Sequence, residues 1–227
     1  MPILSAFGAA KALGAGGGAV VVPDYSYDFG GSAYISAPSS TQFIAGTGDF
    51  TLEFFIYLRS TPAADTAVFD LGRGLVTNAF AFQLNPSRQF KFRIGAGSIT
   101  SSTAISLNTW YFITLTRLSS ALRFFYDTTN VTTNPSYTTN LSGQNGIRIG
   151  GNQNDAYRLD AIISNLRYRV GTGLSSVTIP TSPLQNVTNT KLLTCQSATI
   201  VDNSTANGGT GWTLTNSGAT ITTSNPF

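Results

Sequence analysis

The stretch Phe50-Thr51-Leu52-Glu53-Phe54-Phe55-Ile56-Tyr57-Leu58 decides the fold class. Successive side chains of an extended chain point to opposite faces. Phe50, Leu52, Phe54, Ile56 and Leu58 therefore share one face and form a core, while Glu53, Phe55 and Tyr57 stand on the other. The same period of two returns in Phe80, Phe82 and Leu84, and again in Phe90, Phe92 and Ile94, where Gln89, Lys91 and Arg93 take the outward positions. Apolar-in, polar-out alternation identifies antiparallel sheet with one face on a core.

Working outward, further strands are expected at Trp110–Arg117, Leu122–Asp127, Gly146–Gly150 and Leu159–Val170, separated by segments rich in Gly, Asn, Pro and Ser. No helix is expected after residue 22. Beyond Gly171 the character changes. Ile179-Pro180-Thr181-Ser182-Pro183-Leu184 is held extended by its two prolines, and strands are expected again at Lys191–Gln196 and Gly211–Thr222. At the other end, residues 3–13 contain good helix formers (Ala9, Ala10, Lys11, Ala12, Leu13) stopped by Gly14, followed by a Gly-rich hinge that leads to Pro23. This stretch has no basic leading region and Lys11 interrupts its apolar run, so it fits a secretory signal poorly and reads as a retained arm. Three parts result: an Ala/Gly-rich arm over 1–22, a β-rich unit over 23–170, and an extension over 171–227 docked on that unit.

Composition narrows the function classes. With 41% hydrophobic residues, 15 Phe and 9 Tyr in 227 residues, the chain has ample material for one packed core. Only 10% of residues are charged, against about 25% in an average soluble domain, so Ser, Thr, Asn and Gln supply the polar surface. The formal charge of +3 rests mainly on arginine, because lysine occurs only at 11, 91 and 191. No basic run follows a phosphate backbone, and nucleic acid is not an expected partner. No run of about 18 apolar residues spans a membrane. The single cysteine, Cys195, cannot close an internal disulfide, which favours assembly in a reducing cytosol, and in Leu192-Leu193-Thr194-Cys195 it reads as a small buried hydrophobe.

Chemistry is sparse. Histidine is absent, which removes the usual base of serine and cysteine hydrolases and the commonest zinc ligand. The glycines of 14–18 lack the strand before them and the Lys-Ser/Thr after them that a phosphate loop requires. Asp24 and Asp28, or Asp155 with Asn152 and Asn154, offer oxygens to calcium. The favoured reading is that they are turn residues accepting backbone hydrogen bonds, so no cofactor is expected.

Several stretches resemble the laminin G-like branch of the concanavalin A-like lectin and glucanase superfamily. Tyr27-Asp28-Phe29-Gly30-Gly31-Ser32-Ala33-Tyr34-Ile35 looks like its opening strand pair, and Asp49-Phe50-Thr51-Leu52-Glu53-Phe54-Phe55-Ile56 like the strand after it. Asn108-Thr109-Trp110-Tyr111-Phe112-Ile113-Thr114-Leu115-Thr116-Arg117 resembles the Trp-led strand ending in Thr-Arg. Arg123–Asp127, Ile147–Gly151 and Ile163–Tyr168 come next in the family's order. The resemblance implies an all-β, concanavalin A-like jelly-roll sandwich of two antiparallel sheets, here with a short N-terminal arm. Glucanases of this fold place acids at alternate positions of one strand and need two carboxylates flanking the bond. Glu53 is the only Glu, and Phe55 and Tyr57 stand two and four positions further on. Asp155 and Asp160 would point to opposite faces of a regular strand. No enzyme activity is expected. Where the family often carries paired acids near its last strand, this chain has Ser164 and Asn165.

A second resemblance concerns the tail. Ile179–Leu184, Thr190–Ser197, Asp202-Asn203-Ser204 and Ser224-Asn225-Pro226-Phe227 look like an extension found on phage virion proteins, notably those of cyanophages, and Ser5–Lys11 is similar to short phage protein N-termini. This implies a non-enzymatic virion structural protein, a capsid decoration or a tail or head appendage such as a tail fibre component, assembled in the bacterial cytoplasm. The alternative is an adhesin that recognises polysaccharide on the host surface. Ile3, Leu4, Phe7 and Leu13 are the expected docking positions toward other virion proteins, and a homo-oligomer, for instance a trimer, is the expected state. Phe55, Tyr57, Arg93, Arg148, Arg167 and Arg169 are candidate contacts to glycan or partner, with Arg117 also read as outward. For Phe55 and Tyr57 the competing reading is a further layer of the same domain.

Overall fold

The computed structural model describes residues 24–153 and 157–227. The arm, with its expected helix over 3–13 and its docking positions Ile3, Leu4, Phe7 and Leu13, lies outside the described residues.

Two antiparallel sheets face each other. One has the spatial order β10 (Thr129–Asn134), β9 (Ala121–Tyr126), β8 (Trp110–Leu118), β3 (Phe50–Leu58), β12 (Ala161–Val170), β1 (Ser26–Asp28) and β15 (Thr220–Thr222), with β13 (Thr190–Thr194) as an eighth strand on β12. The other has seven strands, in the order β14 (Thr215–Ser217), β2 (Tyr34–Ala37), β11 (Ile147–Ile149), β4 (Thr66–Asp70), β5 (Phe80–Leu84), β6 (Gln89–Ile94) and β7 (Gly97–Ala104). Among the described residues the helical content is a single 3-10 turn, Thr41–Phe43, capped by the Ser40 hydroxyl. The alternation predicts the antiparallel sheet, and the family resemblance implies its pairing into this two-sheet sandwich.

The core lies between the sheets. Phe50 stacks on Phe80 at 5.5 Å, Phe82 on Phe90 at 4.8 Å, and Phe54 meets Phe90 edge-on at 6.0 Å. These rings are fully buried, and each burial is worth about 1.5–3 kcal/mol relative to exposure. The two lateral openings are closed differently. On one side the Ser102 hydroxyl donates to the Val131 carbonyl at 2.5 Å, bridging β7 and β10. On the other, β14 turns through Gly218 (φ 87°) into β15, so the chain crosses from the edge of one sheet to the edge of the other.

Three strands escape the alternation rule. β4 carries a register shift between Ala67 and Phe69, so the consecutive residues Val68 and Phe69 both enter the core and the alternation is lost. β7 and β10 are largely Ser, Thr and Asn and lie at the sheet edges. The expected single strand over Gly211–Thr222 is two short ones, β14 and β15.

Arg117 is corrected from an outward to an inward position. It pairs with Phe50 across β3 and β8 and so projects into the sandwich with Ile113 and Leu115. It is fully buried, with its guanidinium 5.3 Å from the centre of the Phe50 ring. Nε donates to the Gly48 carbonyl at 2.7 Å, Nη1 to Thr139 at 2.9 Å, and Nη2 to Gly46 at 2.7 Å. The planar fork of donors ties together carbonyls of two loops that are also bridged through Gly46 and Leu141, although burial pushes its pKa down. Replacing Arg117 by Ala takes the donors away from the Gly48 and Thr139 carbonyls and opens a cavity. Urea unfolding is expected to show a loss of about 3 kcal/mol or more, whereas Arg123→Ala on the outer face of β9 is expected to change stability by about 0.5 kcal/mol or less.

Candidate functional site

A sandwich offers partners two outer sheet faces and two loop-bearing ends. On the eight-stranded sheet the outward residues of β3 are Thr51, Glu53, Phe55 and Tyr57, as their parity predicts. The chain covers much of this face with its own extension. Thr51 Oγ1 donates to the Thr172 carbonyl at 2.8 Å, and Leu174 N donates to Thr116 Oγ1 at 2.9 Å. Phe55 is 4% exposed, packed at 4.7 Å from Phe112 and edge-on at 5.2 Å from Phe227. Its burial is the further layer of the same domain, and it removes Phe55 from the open surface. Tyr57 is half-buried beside Trp110 at 5.6 Å.

Arg167 and Arg169 lie on this same face. Arg167 bonds Glu53 Oε1 at 2.8 Å and the Gln185 carbonyl at 2.7 Å. Arg169 is half-buried, and its pKa is lowered, chiefly by burial. The only glutamate of the chain is thus neutralised by Arg167 on a strand that the extension overlies.

The extension is anchored by side chains within the motifs singled out in the sequence. The Asp202 carboxylate accepts from the backbone N–H groups of Leu193, Ser204 and Trp212 at 2.8–2.9 Å, and from the Ser204 hydroxyl at 2.8 Å. Trp212 donates its indole N–H to the Lys191 carbonyl and packs 5.1 Å from Phe43. Cys195 is buried, and burial pushes its thiol pKa up. It is not a poised nucleophile.

The outer face of the seven-stranded sheet is different. Cross-strand register aligns Ser36, Arg148, Asp70, Ala81, Arg93 and Ser98 in one row. A second row runs through Ala67, Gln83, Lys91 and Thr100. Ala67 and Ala81 leave a shallow floor, over which the segment after β11 folds. Asn152 Oδ1 accepts from Ala67 N at 2.9 Å and from Gln83 Nε2 at 3.3 Å, and Gln153 N donates to Asp70 Oδ2 at 3.0 Å. Arg148 lies over the Tyr34 ring at 4.0 Å and Arg158 over the same ring at 4.5 Å. On the other flank, Lys91 and Arg93 converge on Asp65 Oδ2, both at 3.0 Å. Of the six candidate contacts read from the sequence, Arg93 and Arg148 share this face, while Phe55, Tyr57, Arg167 and Arg169 share the other.

The calcium candidates separate in space. Asp28 receives both Nη atoms of Arg59, whose Nε bonds Asp160 Oδ1 at 2.8 Å. A guanidinium therefore sits where two carboxylates converge. Asn152 is engaged as above, and Asn154 and Asp155 lie outside the described residues. Among the described residues no three His, Cys, Asp or Glu side chains come together to hold a metal ion. A cleft of about 430 Å³ lined by Leu75, Val76, Ile94 and Gly95 opens at one end of the sandwich, and a smaller one of about 250 Å³ lies beside it against Phe92, Ile99 and Tyr137. Leu75 is among the most exposed large apolar residues.

The hydrogen bonds from Arg59 hold the Asp28 carboxyl below its ordinary value of 3.8, outweighing the effect of burial. A depressed folded-state pKa stabilises at pH above the unfolded value, and that contribution is lost as pH falls through the folded one. The stability advantage of the native chain over Asp28→Asn, read from urea midpoints, is expected to hold near pH 6 and to shrink progressively from about pH 4 downward.

A sequence profile of the concanavalin A-like lectin/glucanases superfamily matches residues 29–168. No curated protein sequence matches the chain. Among solved structures, a protein of Bacteroides ovatus assigned as carbohydrate-binding superposes with a TM-score of 0.61 at 14% identity, over 88% of this chain and 59% of that one. Domains LG4–5 of the mouse laminin α1 chain give 0.51 at 14% identity, over 71% and 48%. A heptameric SAP-like pentraxin of Limulus polyphemus gives 0.50 at 12% identity, over 69% and 80%. The chain thus spans less than two thirds of the first two. At these identities the likeness concerns the fold, and the extension beyond Tyr168 lies outside the profile match. Because that match takes in more than half of the chain, the protein belongs to the concanavalin A-like lectin/glucanase superfamily, in its laminin G-like branch.

Proposed function

We propose that the protein is a non-enzymatic, lectin-type binding module carried as a structural component of a bacteriophage virion. The observation that carries the binding reading is the contrast between the outer faces. The chain's own extension overlies one, while the other presents Arg73, Lys91, Arg93 and Arg148 beside the hydroxyls of Ser98 and Thr100. A carbohydrate-binding assignment in a solved relative of this fold supports the same direction, although fold alone does not determine ligand.

Support for a non-catalytic role comes from the acids. Glycoside hydrolysis requires two carboxylates flanking the bond, one of them protonated. Here Glu53 is paired with Arg167 and 4% exposed, while Asp28 and Asp160 share Arg59. The absence of histidine removes the other common general base.

The virion setting rests on the resemblance of residues 179–227 and 5–11 to phage structural proteins. In this reading the arm over 1–22 docks to other virion proteins or to a sister chain, and the protein acts in a homo-oligomer, as a capsid decoration or appendage. The experiment is incorporation into purified particles of the full chain against a chain beginning at Pro23, with circular dichroism on both and binding of both to a polysaccharide panel. The expected result is incorporation of the full chain only, with both chains folded and both retaining polysaccharide binding. Association of neither with particles would overturn the virion reading, and binding of neither to any polysaccharide would overturn the lectin reading.

A further inference from the structure

We propose that Asn207 is a self-modifying site, an asparagine whose side-chain amide the folded chain converts into aspartate and isoaspartate, while the other Asn-Gly pair of the chain is held against the same reaction. The inference goes beyond the binding reading above and does not depend on it.

Two asparagines precede a glycine, Asn145 before Gly146 and Asn207 before Gly208. Glycine is the least hindered residue whose backbone nitrogen can attack the preceding side chain, because it has no Cβ. The two pairs are held differently. Asn207-Gly208-Gly209-Thr210 is a tight turn, with φ 62° and 95° at the two glycines, closed by Asn207 N on the Thr210 carbonyl at 2.8 Å and Thr210 N on the Asn207 carbonyl at 3.2 Å. Gly209 N donates to the Thr205 carbonyl at 3.2 Å. Among the described residues, the Gly208 N–H and the Asn207 amide make no hydrogen bond, all four turn residues are exposed, and the space where a Gly208 Cβ would point is open. In the other pair the nitrogen is occupied. Gly146 is buried and donates its N–H to Gln144 Oε1 at 2.9 Å, an oxygen that also accepts from Ser40 N at 3.2 Å. Asn145 N is bound to the Leu71 carbonyl at 2.7 Å, and Gly146 packs so closely that a Cβ there would stand 2.4 Å from the Ala37 oxygen.

The reaction needs only water. The Gly208 nitrogen loses its proton to solvent base and bonds Asn207 Cγ. The Cγ–N bond of the side-chain amide breaks, and ammonia leaves with a proton taken from water. Water then opens the five-membered imide at either carbonyl, giving aspartate or, where the chain is left running through Cβ and Cγ, isoaspartate. Nothing is oxidised or reduced. Each conversion lowers the formal charge of +3 by one and sets a carboxylate beside Ala206, which lines a polar cleft of about 660 Å³ together with Gln42, Asn186 and Lys191. The base of the loop lies outside the change, since Asp202 binds Ser204 and Trp212 on either side of it.

The test is incubation of the full chain at mildly alkaline pH, native and in concentrated urea, with tandem mass spectrometry of proteolytic fragments to place each exchange of amide for carboxylate. In the native chain Asn207 is expected to convert about tenfold or more faster than Asn145, which corresponds to about 1.4 kcal/mol in the barrier. In urea the two rates are expected to converge. The acidic species that accumulates on ion exchange is expected to be absent from Asn207→Gln. Equal rates in the native chain, faster conversion at Asn145, or conversion at neither would overturn the site. A contrast that persists in urea would overturn the role of the fold, since flanking sequence alone would then set it. Fresh and aged chains are expected to unfold at the same temperature, and a lower transition after ageing would overturn the confinement of the change to the loop tip.

Discussion

The fold turns on one residue of the central strand, Asn165. β12 is paired along its length with β3, but its other edge is divided. Ile162 and Ile163 face β1, and residues 166–169 face β13. The division falls where Asn165 takes a left-handed conformation, φ 54°, which asparagine tolerates better than most side chains. Its backbone N–H leaves the ladder to donate to the Cys195 carbonyl at 2.9 Å, and its side-chain oxygen accepts from Leu184 N at 2.8 Å. Because of this break, a strand from the extension is accepted into the sheet beside a strand from the start of the chain. The extension is therefore part of the sheet, although it lies beyond the region that matches the family profile.

Insertion of β13 makes the two faces of the molecule unequal. Once β13 is in place, Asp202 organises the chain after it and Trp212 covers Phe43, while the preceding segment crosses Thr116 and Thr51 and Phe227 ends on Phe55. An aromatic and acidic face that would be the natural place to look for sugar stacking or catalytic carboxylates is occupied by the protein itself. The opposite sheet keeps its outer face, where the small residues Ala67 and Ala81 lie in register with charged side chains on either side. The motifs at 190–204 thus have a structural meaning of their own: they contain residues that lock the extension down.

Parity along the strands is legible wherever one face meets solvent and the other meets the core. It places Phe50, Phe54, Phe80, Phe82, Phe90 and Phe92 inside and Lys91, Arg93 and Arg148 outside, and the structure agrees. Parity also places Arg117 inside, two positions beyond Leu115, and the outward reading fails by letting residue type override position. A guanidinium is a tolerable core group when enough carbonyls surround it, and those carbonyls belong to loops some 70 residues before and 22 residues after it. β4 escapes detection because its bulge puts Val68 and Phe69 into the core side by side and breaks the alternation; β7 and β10 escape because edge strands of Ser, Thr and Asn resemble loops in composition.

The candidate site divides in the same way. That Phe55, Tyr57, Arg93, Arg148, Arg167 and Arg169 leave the core face is a consequence of a period of two, and a single sequence suffices to see it. Which of them remain open depends on what later parts of the chain lie on, since Phe227 reaches Phe55 across 172 positions and the Glu53–Arg167 pair spans 114. Likewise, that Lys91 and Arg93 are cations on one strand face is evident from order alone, whereas their sharing of Asp65 and their nearness to Arg73 arise from loop paths that no local pattern encodes. Local sequence determined secondary structure and face because alternation is a short-range property, and the fold family was legible in the order of its motifs. Tertiary structure alone decided accessibility and charge balance, because both are sums over neighbours that the chain brings together from far apart.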